Sequence, residues 1–113
     1  VPNLKHIDRK WLDKAEAAKG FAAPYFWGTV GIAYRKDLVP KPPRGWIDLL
    51  QPGSHMKGRV AMLSSSREIL GMALKAVGHS VNSIDHRHID EAMRLLIAQK
   101  PYVRAYQQSL LNE

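Results

Sequence analysis

The stretch "GRVAMLSSSREILGMALKAVG", residues 58–78, decides how the chain folds. Val60 to Leu63 form an apolar run short enough for a buried strand. Three serines follow, and the pattern then changes to a helical period: Ile69, Ala73 and Ala76 mark one line, Leu70, Leu74 and Val77 the adjacent one. Gly78 is a natural stop for that helix. Ser65 and Glu68 stand at the S-x-x-E spacing of a capping box, in which the serine oxygen takes the N3 amide and the glutamate reaches back to the cap amide. The same geometry places Ser64, Ser65 and Ser66 at the carboxyl end of a strand, where open α/β sheets bind their ligands. Hydroxyls there can hold a solute, the helix amides favour negative charge, and the Glu68 carboxylate would attract an amine.

Further along, Asp85 fits an N-cap, and Ile89, Ala92, Met93, Leu96 and Ile97 follow the i, i+3, i+4, i+7, i+8 template up to a stop at Pro101. "YVRAY" (102–106) alternates as a half-buried strand, and "QQSLLNE" (107–113) reads as the start of another helix. Toward the N-terminus, "WIDLL" (46–50) predicts a turn or two of helix, and "LVPKPPRG" (38–45) a stiff proline loop. "AAPYFWGTVGIAYRKD" (22–37), aromatic and β-branched with Gly28 and Gly31 interrupting, predicts two strand pieces. Its Tyr25, Phe26 and Trp27 are expected in a core, with one ring free to face a ligand. A first helix is expected from the Asp8 cap toward Gly20. Strands alternating with helices give an α/β fold with an open, mostly parallel sheet flanked by helices.

Composition narrows the function. The 113 residues, 45% apolar and 24% charged, suit a folded soluble domain. Seventeen Lys and Arg against ten Asp and Glu leave +7, which makes a small basic nucleic-acid-binding domain the alternative from another class. The cations are scattered and form no run, which counts against it. Without cysteine there is no disulfide, zinc-thiolate or thiol chemistry. His86 and His88, two apart in "DHRH" (85–88), would not share one helix face, and read as solvated turn residues and not as metal ligands. No G-x-S-x-G, G-x-G-x-x-G or P-loop pattern occurs, so neither an enzyme nor a bound cofactor is expected. "VPNLKHIDRKW" (1–11) lacks the apolar core of a signal peptide, as in a cytosolic chain or the interior of a longer processed one.

Three segments together, "AAPYFWGTVGIAYRKD", "PRGWIDLLQPGSHMKGRVAMLSSSREILGMALKAVGHSVNSID" (43–85) and "IDEAMRLLIAQKPYVRAY" (89–106), resemble in order and spacing the spermidine/putrescine-binding proteins of bacterial ABC transporters. That resemblance implies part of a type II periplasmic-binding-protein lobe. Residues 1–32 would be the end of a first lobe and the first crossover, and residues 33–113 a second α/β lobe, incomplete at its C-terminal end. It implies a periplasmic receptor that closes on a small amine by hinge motion and delivers it to a permease, or serves a membrane signalling protein as its sensor. A fragment of this kind could pair strands or swap them with a second copy. Family members commonly grip the polyamine with two carboxylates on the turn opening the matching helix. Glu68 falls on the second, and Ser65 stands in place of the first. The expected ligand-binding residues are therefore Glu68, Ser65, Ser66, Ser64, Tyr25 and Trp27.

Overall fold

The computed structural model describes residues 2–14 and 21–108, and divides into two compact units, residues 1–31 and 32–113. In the first unit a 3-10 helix (Pro2–His6) precedes helix α1 (Arg9–Lys14). Asp8 caps α1: its side chain accepts from the Lys10 amide at 3.0 Å. The indoles of Trp11 and Trp27 stack at 5.4 Å, and the ammonium groups of Lys10 and Lys14 lie over Trp11 at 5.3 and 5.2 Å. The rest of the helix expected toward Gly20 lies outside the described residues.

Residues 22–35 form no strand, contrary to the reading of their sequence. A strand exists only as a member of a ladder, and nothing among the described residues pairs with this segment. Its aromatics are not core residues either. Tyr25 is 88% exposed and Trp27 73%, with Phe26 at 84% tilted against Tyr25.

The second unit is built on helix α2 (Trp46–Leu50), strand β1 (Val60–Leu63), helix α3 (Ser66–Ala76), helix α4 (His86–Gln99) and strand β2 (Val103–Gln107). β1 and β2 pair in parallel, Val60 opposite Val103 and Ala61 opposite Ala105, so that Arg104 is an extra residue on β2. The Ser64 amide continues the ladder, donating to the Gln107 carbonyl at 2.9 Å. Gln107 thus ends a strand where the sequence suggested a helix beginning, and residues 109–113 lie outside the described part. Parallel strands need a long crossover. The two helices α3 and α4 supply it.

α3 ends in a Schellman arrangement: Gly78 adopts φ +87°, its amide donates to Lys75 O, and the His79 amide donates to Leu74 O at 2.9 Å. α4 opens on Asp85, whose side chain accepts from the Arg87 amide at 2.9 Å. The Arg87 guanidinium also grips this carboxylate, which holds its pKa down to about 2.

Leu50, Val60, Met62, Met72, Ala73, Leu74, Ala92 and Leu95 form the core, with Trp46 packed against its edge. On α4 the buried residues are Ala92, Leu95 and Gln99; of the expected stripe Ala92 is buried and Leu96 packs against the core. Met93 and Ile97 of that stripe are 44% and 58% exposed. The helix is turned so that Leu95 meets the core and the Met93–Ile97 side looks outward. Gln99, 1% exposed, donates its amide to the Leu49 carbonyl at 2.9 Å and approaches the Met62 sulfur at 3.5 Å. α2 is only five residues long, so its last carbonyls lack helical partners, and Gln99 satisfies one of them.

Leu74, 1% exposed at the centre of this packing, should lose about 2–5 kcal/mol of stability as Leu74→Ala, measured by urea unfolding. Because the Asp85 carboxyl is depressed in the fold, its stabilisation is complete above the ordinary aspartate pKa of about 3.9 and fades as pH falls through about 2. Stability followed by circular dichroism should therefore fall less steeply between those limits in Asp85→Asn than in the parent.

Candidate ligand-binding site

The chain leaves β1 at Leu63 and enters α3 at Ser66, so Ser64 and Ser65 form the strand-to-helix turn. This is the carboxyl end of a parallel strand, as the sequence indicated. Ser65 is the N-cap by its backbone, at φ −70° and ψ 110°, but its side chain makes no cap hydrogen bond. The expected capping box is therefore not closed. Glu68 is exposed in the first turn of α3, where its charge suits the positive end of the helix. Among the described residues its carboxylate has no hydrogen-bond or ionic partner, and the three serine hydroxyls are equally uncommitted.

Ser64 and Ser66 also border an open groove of about 430 Å³. Its walls are mainly apolar: Ile69 and Leu70 from α3, Met93 and Ile97 from α4, and Tyr106 from β2, with Lys100 adding a positive charge. Ser65 and Glu68 do not line it. At about 100° per residue, Glu68 projects roughly 160° around α3 from Leu70. Ser64 and Ser66 thus border an apolar groove carrying a cation, while Ser65 and Glu68 stand outside it on the same turn. Of the two surfaces, only the turn with its carboxylate is suited to an ammonium group.

Tyr25 and Trp27 belong to the first unit, where their rings are exposed and Trp27 is braced by Trp11. Sequence reading missed a second polar cluster, in which His79 and His88 stack with ring centroids 3.6 Å apart. His79 lies seven residues before α4, so spacing along one helix could not show the pair.

No protein-family model matches the chain. Among characterised proteins it is 41% identical to the norspermidine sensor of Vibrio cholerae, over 95% of this chain and 29% of that protein. It is 32% identical to the spermidine/putrescine-binding periplasmic protein of Escherichia coli, over 94% of this chain and 30% of that one. Among solved structures it superimposes on the spermidine/putrescine ABC transporter substrate-binding protein of Streptococcus pneumoniae with a TM-score of 0.69 at 29% identity, covering 93% of this chain and 32% of the other. The chain spans about three tenths of the length of the curated relatives it matches. In sequence along nearly its whole length, and in fold, it is homologous to that portion of the spermidine/putrescine-type substrate-binding proteins.

Proposed function

We propose that the chain is the ligand-gripping portion of an extracytoplasmic, polyamine-type solute-binding protein that serves an ABC transporter and does no covalent chemistry. The observation that carries this reading is the Glu68 carboxylate, without a partner among the described residues, on the exposed turn after β1 in a chain homologous to polyamine receptors. In this reading Glu68 takes one ammonium group through a charge-assisted hydrogen bond. Ser64, Ser65 and Ser66 add neutral acceptors. Release needs only reopening of the cleft.

Ser65 tunes the affinity. A hydroxyl accepts a hydrogen bond from an ammonium but carries no opposing charge, so this receptor grips one end of a diamine more strongly than the other. The 41% identity to a sensor supports a second use of the same capture, with the loaded receptor signalling through a membrane partner. A sensing receptor will copurify with that partner, whereas a delivery receptor will stimulate a permease.

Calorimetry on the receptor carrying this segment, with putrescine, spermidine and norspermidine, tests the reading. Glu68→Ala should weaken binding by about ten to a hundredfold, and Ser65→Asp should tighten it by a similar factor, the worth of one hydrogen bond to a charged group. Tight polyamine binding indifferent to Glu68→Ala would refute the site. The outer edges of the β1–β2 pair carry no third strand among the described residues, which favours strand pairing between two copies of the isolated chain. Sedimentation of that chain should show a dimer growing with concentration.

A further inference from the structure

Away from the serine turn, at the other end of α3, the loop from Gly78 to Asp85 is tied to α4 through two imidazoles. The Schellman hydrogen bonds fix the His79 backbone. Its ring lies face to face on that of His88, the planes 10° apart, and its Nε2 meets Glu91 Oε2 at 2.8 Å. His88 Nδ1 is 2.9 Å from the Ser83 hydroxyl, whose oxygen also accepts the Asp85 amide at 3.3 Å. Both rings are partly open to solvent, so protons reach them.

These contacts differ in the charge they favour. His79 has a carboxylate of its own, so a proton there is compensated, and the imidazolium then lies on the π-face of its neighbour, an attractive arrangement. His88 has no carboxylate in hydrogen-bond contact. Ser83 Oγ accepts from the Asp85 amide, and its hydroxyl proton can go to His88 Nδ1 when that nitrogen carries a lone pair. The remaining acid is Asp85, whose Oδ2 is 4.0 Å from His88 Nε2, and it is already held by Arg87 at 2.8 Å. α3 contributes Lys75 as the basic group of its last turn, and His86, Asp90 and Arg94 of α4 are exposed and bond to neither ring. Parallel ring faces keep the nitrogens of each imidazole in separate planes and do not aim them at one point, which argues for protons and against a metal ion as what this pair takes.

We propose that the His79–His88 stack is a proton-operated clasp: it holds the loop on α4 while the pair carries at most one proton, and releases it when both rings are charged. The second proton sets two like charges face to face and turns His88 Nδ1 into a donor, displacing the Ser83 hydroxyl proton.

Amide hydrogen exchange on the protein reads this directly, through the His79 amide bonded to Leu74 O and the Ser83 amide bonded to Ser80 O. After correction for intrinsic rates, exchange at these amides should quicken by about tenfold between about pH 7 and pH 5, the range in which histidines charge. In His88→Phe, which keeps a flat ring but cannot take the second charge, the change should be under about twofold by the same measure. Glu91→Gln, a milder variant, removes the counter-ion of a proton on His79, so that a single charge then opposes the stack and the acid quickening of the same amides should begin at higher pH than in the parent. Constant protection in the parent, an equal acid response in His88→Phe, or an acid response in Glu91→Gln that coincides with the parent's would each overturn the clasp.

Discussion

Parallel pairing of β1 with β2 is the constraint on which the second unit depends. Two strands running the same way cannot be joined by a tight turn, so the chain must travel the length of the sheet and return. α3 and α4 make that journey, and their burial on the sheet, through Met72, Ala73, Leu74, Ala92 and Leu95, is the core. The same constraint puts the serine turn at the carboxyl end of β1 and the histidine pair at the opposite end of α3. The candidate site and the histidine pair therefore occupy the two ends of one helix.

Much of this was legible because several local signals agreed. The apolar run at Val60–Leu63, the period of Ile69 to Val77, the glycine at position 78 and the acid at position 85 each point to the element boundary the structure shows. What sequence could not show depended on distant partners. Residues 22–35 carry strand-forming side chains but have no ladder to join among the described residues. α4 carries more apolar side chains than its buried face accommodates, so periodicity alone chose Met93 and Ile97 where packing chose Leu95 and Gln99.

The candidate site divides along the same line. Its position follows from local order, a strand, three serines and a helix. Its state does not: the S-x-x-E spacing is present, yet Ser65 and Glu68 remain unlinked. Glu68 is also set apart from the apolar groove, so charge and hydrophobicity are presented on different sides of α3. The histidine pair lay beyond any pattern, since it joins a loop residue to a helix residue through ring faces.

Gln99 has one more consequence. A leucine there would fill the space and add attraction, but it would accept α2 in many orientations. A buried amide is satisfied only where a carbonyl meets it, as that of Leu49 does. Every misdocked arrangement of the proline-flanked segment leaves an unmet donor in a dry interior and rises in energy accordingly. The side chain thus works chiefly on the conformations the protein must avoid, and makes one placement of α2 stand out from its competitors.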